Sequence, residues 1–468
     1  MVNMTSSSAK RNILMISAGG SFLAPFMVSA LIVALPTIGN ELSMDAVTMS
    51  WLANVFFLAA SMFLIPFGRL ADIFGVKRIF SIGIAIYFVS ALLASLAPST
   101  TVLIAARFLT GLGAAMIFGT SLALLSLSLL EEERGEALGI NIASNLTGFA
   151  LGFFLGGLLT YYASWRFIFI FTLPISAVVM ALIRLRLPGE CAFSKGQKFD
   201  LIGSAMIVAL LFLIILGLSE LPAPGGGVLI IAGIAVFLLF ALRQSGNGSP
   251  VIDLDLFRKN RCFSFSNAAI MIYTTSTLAV IFLFSFYLQY IKGFDSKQSG
   301  LILLASTLIM AALVIHAGRL SDRMNLYRLA GTGVIISMAG LLPMTLISSN
   351  TSLFHALLEL VLVLAGGALF YPPMVKIVLG SISRDKYGVG SSLAETMRLV
   401  GNAGSIALVT VGFTYYLGGT EITPENYPAF LQSMKLILAA FSALCMTSLL
   451  LILLASHAKP QKKYMKGH

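Results

Sequence analysis

The feature that most limits the fold of this chain is a series of apolar segments long enough to cross a lipid bilayer, which takes about 20 residues per helix. Fourteen such segments lie at residues 12–38, 48–70, 78–97, 101–128, 137–161, 165–187, 200–220, 224–243, 262–290, 297–319, 327–348, 353–376, 387–415 and 430–455. Only 10% of the 468 residues are charged, whereas soluble domains have roughly 25%. The sequence therefore excludes a soluble protein and predicts an all-α polytopic membrane protein with fourteen transmembrane helices.

The basic residues predict the orientation of these helices, because Lys and Arg beside a helix end are retained on the cytoplasmic side. With the N-terminus in the cytoplasm, all but five of the 30 basic residues fall on that side, the exceptions being Arg107, Arg166, Lys292, Lys297 and Lys435. We therefore expect a multi-pass protein of the cell membrane with both termini cytoplasmic. The net charge of +11 reflects this distribution and does not indicate nucleic-acid binding.

An internal repeat divides the chain. Residues 68–72 (Gly-Arg-Leu-Ala-Asp) end the second segment, and the similar residues 318–322 (Gly-Arg-Leu-Ser-Asp) recur 250 positions later. Parallel repeats of this kind build transporters that alternate around a central site. We predict a six-helix bundle at 1–187, two inserted helices with a cytoplasmic linker at 188–261, and a second six-helix bundle with a short basic tail at 262–468.

The repeated loop carries residues suited to a conformational switch. Gly68 and Gly75 permit a close helix approach and a tight turn, and Asp72 lies among cations with which it can exchange partners. The alternative is a basic cytoplasmic loop that happens to contain an acid. The switch candidates are Gly68, Arg69, Asp72, Gly75, Lys77, Arg78, Gly318 and Asp322.

This loop resembles the hallmark cytoplasmic motif of the major facilitator superfamily. Residues 103–115, with Arg107, resemble the family's fourth-helix motif, whose arginine is associated with proton coupling. The fifth segment resembles the antiporter motif of drug exporters through Gly148, Gly152, Gly156 and Gly157. Residues 34–38, Trp51, Trp165, Arg166 and 393–404 are similar to the fourteen-helix drug:proton antiporter branch. The resemblance implies two six-helix bundles plus two inserted helices, and secondary export of amphiphilic small molecules driven by protons.

Two departures from the family pattern keep other functions open. Phe153 stands where the antiporter motif usually has a proline, and Met27 stands where the first helix usually has an aspartate. These residues favour an exporter or flippase of one lipid or metabolite, or a carrier without proton coupling. A transporter-like receptor that binds without turnover is a further alternative.

Charged residues inside the apolar segments are the candidates for proton coupling, because a charge in the bilayer is costly and rarely retained without a function. They are Arg107, Glu359 and Glu395. Glu359 is interpreted as a proton carrier, as a counter-ion for a cationic substrate, as the partner of Arg107, or as a carboxylate held by polar neighbours. Glu395 precedes Arg398 by three residues, so a local helix pair is also expected.

Polar residues on otherwise apolar helices are candidates for lining a substrate cavity, namely Asn54, Asn141, Asn145, Tyr273 and Gln289. Hydrogen bonds between packed helices are the alternative for each. The sequence contains no Walker loop and no His/Cys spacing typical of a metal site. We therefore expect no enzymatic activity, no metal and no cofactor. The expected partners of this monomer are an amphiphilic substrate, protons and membrane lipids.

Overall fold

The structure is a computed structural model that describes residues 7–128, 134–187, 198–244, 251–252, 254–383 and 386–458. The helices are α1 Ser7–Glu41, α2 Ala46–Phe74, α3 Val76–Ser95, α4 Thr100–Ser128, α5 Arg134–Tyr162, α6 Arg166–Arg186, α7 Leu201–Ser219, α8 Pro224–Gln244, α9 Leu254–Lys259, α10 Arg261–Phe286, α11 Ser296–Leu320, α12 Leu326–Met344, α13 Leu353–Gly380, α14 Tyr387–Leu417 and α15 Tyr427–His457. All except α9 belong to the 14 helices that are long and apolar enough to cross a membrane. The predicted all-α fold with fourteen spans is confirmed.

Three short elements were not predicted: the helix α9, a π-helical turn, and a 3-10 turn at Pro424–Asn426 that precedes α15. The helix α9 lies in the predicted linker, and its Lys259 pairs with Asp255 at 2.5 Å. Hydrogen bonding to Lys259 lowers the pKa of this exposed carboxyl group. The side chain of Asn260 accepts a hydrogen bond from the Phe263 N–H at 3.0 Å and caps α10, and a π-helical turn at Tyr287–Ile291 extends the other end of that helix.

Residue contacts divide the chain into two compact units. The first comprises Met1–Met44, Val55–Val208 and Asp295–Leu304, and the second comprises Asp45–Asn54, Ala209–Phe294 and Ala305–His468. The boundaries between the units fall inside α2, α7 and α11. The start of α2 is therefore assigned to the second unit and the start of α11 to the first. The bundle boundaries predicted from the sequence, at residues 187 and 262, are a different division and stay a prediction.

In the first unit, a stripe of glycines brings α5 onto α1. A methyl group added at Gly148 would come within 2.5 Å of the Phe22 carbonyl oxygen, and one added at Gly156 would come within 2.6 Å of Ala30 Cα. At Gly152, between them, the added group would overlap the backbone of Phe26 and the side chain of Ser29. These small residues recur every fourth position, which is the spacing that allows membrane helices to pack at backbone distance.

The internal repeat is visible in the packing of both units. In the first, α3 meets α4 where Gly83 faces the carbonyl oxygen of Gly113, 3.0 Å from an added methyl group. In the second, α12 meets α13 where Gly333 faces the carbonyl oxygen of Gly366 at 2.7 Å. Gly83 and Gly333 are 250 residues apart, the spacing of the repeated loop. The two halves therefore share a packing device as well as a sequence motif.

The inserted helices α7 and α8 contact each other through small residues. A methyl group added at Gly217 would lie 2.8 Å from the carbonyl oxygen of Gly226. Apolar side chains elsewhere on α8 are largely exposed, including Val228 at 65% and Ile231 at 69%. Since both helices are apolar along their length, this exposed surface suits contact with lipid.

Candidate coupling and substrate site

Arg107 is buried within α4, with 1% of its surface exposed. It lies one turn before Gly111, where α4 packs against the backbone of Phe56 in α2, and its guanidinium carbon lies 4.9 Å from the centre of the Phe56 ring. Nε and Nη1 have no hydrogen-bond partner among the residues that the structure describes. Because the whole residue is buried, α4 holds a charge that is incompletely satisfied.

A second aromatic side chain lies near Arg107. Tyr87 in α3 interacts electrostatically with the guanidinium, while the Tyr87 hydroxyl donates to the Leu23 carbonyl oxygen at 2.8 Å.

Met27, which replaces the family's first-helix aspartate, is fully buried in α1. The position at which the resemblance expected a carboxylate therefore carries a thioether that cannot take up a proton.

Glu359 lies in the second turn of α13 and is half-buried. Its electrostatic neighbours are His355, one turn away, and Tyr287 at the end of α10. Oε2 is buried and, within the described part of the chain, accepts no hydrogen bond. Glu359 is thus a carboxylate with one unsatisfied oxygen inside a membrane-spanning segment.

Glu395 forms the local helix pair that the sequence indicated. Arg398 Nε donates to Glu395 Oε2 at 2.9 Å, and a second guanidinium nitrogen donates to Oε1. The Tyr371 hydroxyl of α13 donates to Oε2 at 3.1 Å, a contact that the sequence did not reveal. Although paired, the two charged side chains are 25% and 28% exposed. Because exposing a charged pair to lipid is costly, the exposed parts of Glu395 and Arg398 are better explained by contact with a water-filled cavity.

Asn141 is the centre of a polar cluster in the first unit. Its side-chain nitrogen lies 2.9 Å from Ser17 Oγ, 2.6 Å from Ser21 Oγ and 3.1 Å from Ser121 Oγ, linking α5 with α1 and α4. Asn145 follows one turn later in α5 and is half-exposed. These contacts are interhelical hydrogen bonds, and Asn141 remains partly accessible.

The other cavity candidates have different surroundings. Tyr273 is buried, and its ring stacks on Phe370. Its hydroxyl lies 2.6 Å from Ser337 Oγ of α12, so Tyr273 makes a hydrogen bond between packed helices. Gln289 donates to Ser285 Oγ at 3.1 Å in the π-helical turn. Asn54 is fully buried, and neither of its side-chain polar atoms has a hydrogen-bond partner in the described ranges.

The first copy of the switch motif contains the tight turn that the sequence predicted. Gly75 alone separates α2 from α3 and has φ 113°, a conformation that L side chains rarely adopt. After it, the Lys77 ammonium group donates to the Leu187 carbonyl oxygen at the end of α6. Asp72 is half-buried, and Arg69 is its electrostatic neighbour within α2.

The second copy differs in its contacts. Asp322 pairs with Lys376 of α13 at 2.7 Å, and the same ammonium group lies 3.4 Å from the Gly318 carbonyl oxygen. Sequence reasoning missed Lys376, because it lies 54 residues from its partner with no motif around it. The second motif is therefore tied to a neighbouring helix of its own unit.

The last antiporter-type glycine packs against a different helix from the other three. A methyl group at Gly157 would lie 2.5 Å from the Ser296 carbonyl oxygen at the start of α11. Phe153, at the missing proline, is fully buried, and its carbonyl oxygen faces Gly300. The α5–α11 contact is therefore made at backbone distance around Phe153. Among the described residues, no group of three or more His, Cys, Asp and Glu side chains is placed to hold a metal ion.

Comparison with known proteins identifies the family to which this chain belongs. The sequence model of the Major Facilitator Superfamily matches residues 18–406 and also residues 265–465. The chain is 28% identical to the riboflavin transporter RibZ of Clostridioides difficile, over 86% of this chain and 87% of that protein. It is also 28% identical to the multidrug resistance protein Stp of Mycobacterium tuberculosis, over 88% and 78% of the two chains.

The fold is likewise similar to that of a solved transporter. The crystal structure of the POT family transporter PepTSo superimposes with a TM-score of 0.70 at 15% identity, covering 99% of this chain and 100% of the other. The chain belongs to the major facilitator superfamily. It is a multi-pass membrane transporter for small molecules and not an enzyme.

Proposed function

We propose that this transporter exports amphiphilic small molecules across the cell membrane in exchange for protons, by alternating access, with both termini in the cytoplasm. The observation that carries the proposal is the presence of incompletely satisfied charged groups inside the spans, Arg107 and Glu359. A buried polar atom without a partner costs about 1–3 kcal/mol. Such groups are retained where a proton, a substrate or a second conformation satisfies them.

Glu359 is the proposed proton carrier. It is the half-buried carboxylate with an unsatisfied oxygen, whereas Glu395 already accepts three hydrogen bonds from Arg398 and Tyr371. A carboxylate that is already paired has less to gain from a proton. Multidrug resistance in the name of the relative Stp supports the export of several compounds.

The test is substrate-induced proton movement in proteoliposomes, measured with an internal pH dye and a panel of lipophilic cations and neutral drugs. We expect several unrelated compounds to move protons. Glu359→Gln keeps the shape and removes the titrating group, so it should abolish pH-driven uphill transport and leave passive exchange. Glu425→Gln, at an exposed position in the 3-10 turn before α15, is the matched control and should behave like the wild type. Unchanged uphill transport by Glu359→Gln would exclude this carboxylate as the carrier.

A second candidate is a transporter of one metabolite without proton coupling. Buried Met27 and Phe153 favour it, since the first cannot take up a proton and the second lacks the bend that proline gives. The relative named as a riboflavin transporter also fits a specific substrate. Transport of a single compound from the panel, with no proton movement, would select this function.

A further inference from the structure

The first unit contains an open groove of about 440 Å³ that is lined by residues of α1, α5 and α6. Its lining includes Ala18, Gly19 and Phe22 of α1, Ala143 and Thr147 of α5, and Ile175 of α6. The lining hydroxyl of Ser144 donates to the Ile140 carbonyl oxygen of its own helix at 2.8 Å. The groove therefore presents a mostly apolar surface within three membrane-spanning helices.

The groove follows from how α5 is fixed. Its second half is brought onto α1 by Gly148, Gly152 and Gly156. Its first half lacks this stripe, and there Ile142 and Ala143 are exposed. At the lining residue Gly19, α1 and α6 pack directly, because a methyl group there would lie 2.5 Å from Val179 Cγ2.

Two arginines lie at one end of this groove and on its face. Arg11 precedes Ala18 by two helical turns and Phe22 by three, and Arg186 follows Ile175 by three turns, so both share the faces that line it. Measured along the helices from the Gly19 and Val179 contact, they lie about 10–12 Å away. Both side chains are exposed. Two cations on neighbouring helices thus end at a similar depth below an apolar groove.

We propose that this groove binds an anionic phospholipid, with one acyl chain between α5 and α6 and the phosphate between Arg11 and Arg186. One leaflet of the hydrocarbon core is about 15 Å thick, so a chain starting at the arginines reaches the groove residues. Basic pockets at the cytoplasmic ends of membrane helices suit acidic headgroups. Only the choice of the inner leaflet depends on the proposed orientation, and the binding test does not require transport.

The test uses the full-length protein in nanodiscs of phosphatidylcholine with increasing phosphatidylglycerol, followed by native mass spectrometry of the lipid that remains bound. We expect one phosphatidylglycerol to be retained in preference to phosphatidylcholine. Arg186→Gln should weaken its retention about five-fold, the effect of one basic residue at an anionic lipid surface. Arg184→Gln is the matched control, because it removes the same charge from the opposite face of α6.

Filling the groove separates chain binding from headgroup binding. Ala143→Phe should remove the retained lipid, whereas Ile142→Phe, at the neighbouring exposed position, should not. Equal retention of both lipids, or equal weakening by Arg184→Gln and Arg186→Gln, would overturn the proposal. Displacement of the lipid by a transported drug at the groove would also overturn it, because the occupant would then be the substrate. Arg186→Gln changes only an exposed side chain, so it keeps the test decisive if Ala143→Phe does not fold.

Discussion

Arg107→Met tests whether the buried arginine is retained for function rather than for stability. Two guanidinium nitrogens have no partner in the part of the chain that the structure describes, and each such group costs about 1–3 kcal/mol. The cation–π contact with the Phe56 ring at 4.9 Å stabilises the folded protein by about 2 kcal/mol when it is shielded from water. Methionine fills similar space without a charge. We therefore expect Arg107→Met to stabilise the protein by about 2 kcal/mol and to abolish proton-coupled transport.

Arg166→Met makes the same chemical change where the arginine is satisfied. Arg166 pairs with Glu41 at 2.5 Å, donates to the Ala97 carbonyl oxygen at 3.3 Å and stacks on Trp165 at 4.2 Å. Because the paired side chains are 31% and 45% exposed, we expect a loss of only about 1 kcal/mol. The two substitutions should therefore shift stability in opposite directions.

The assay is thermal unfolding of variants in a Cys191→Ser background, followed by a thiol-reactive dye, since the two remaining cysteines, Cys262 and Cys445, are buried at 3% and 0% exposure. We expect the unfolding midpoint to rise by a few degrees for Arg107→Met and to fall for Arg166→Met. Transport is measured on the same preparations. A lower midpoint for Arg107→Met, similar to that of Arg166→Met, would refute the reasoning, because the guanidinium would then contribute net stability.

Three further predictions concern the switch motif, the α1–α5 contact and the inserted helices. Asp72→Asn should slow turnover at least about ten-fold, since conformational steps limit many transport cycles, with an unchanged unfolding midpoint; wild-type turnover would remove the loop from the mechanism. Gly152→Leu should destabilise the fold by about 3 kcal/mol or more, because the new side chain would overlap the Phe26 backbone, and we expect a lower unfolding midpoint. Gly139→Leu is the control, because the space around Gly139 is open. A cysteine replacing exposed Ile231 should react with a lipid-soluble thiol reagent at the same rate with and without substrate; protection by substrate would place α8 on the substrate path.

The helices and the turn at Gly75 were predictable because their signals are local. A span needs only a run of apolar residues, and a one-residue connection with positive φ needs a glycine. The glycines of α5 were identified through their resemblance to the antiporter motif, and their spacing of four places three of them on the face that packs against α1. Each of these features depends on residues within a few turns of one another in the sequence.

The partners of the charged residues were not predictable, because they come from helices distant in sequence. Nothing near Asp322 indicates Lys376, and nothing near Glu395 indicates Tyr371. The burial of Arg107 over Phe56 depends on the close approach of α4 to α2 at Gly111. For Tyr273, the sequence left cavity lining and interhelical bonding open, and its hydrogen-bond partner Ser337 lies on another helix, 64 residues away.

The two copies of the switch motif are alike in sequence and unlike in contacts, and the difference bears on which of them controls turnover. Asp322 is paired with Lys376 of a neighbouring helix, whereas the position 250 residues before Lys376 is a serine, Ser126. The first copy therefore lacks the lysine that braces the second, and the electrostatic neighbour of Asp72 is Arg69 of its own helix. A carboxylate whose neighbour moves with it loses nothing when its helix shifts against others, while Asp322 must break an ion pair to do so. Because no ion pair has to break first, Asp72 rather than Asp322 is the carboxylate expected to gain a partner on another helix during transport.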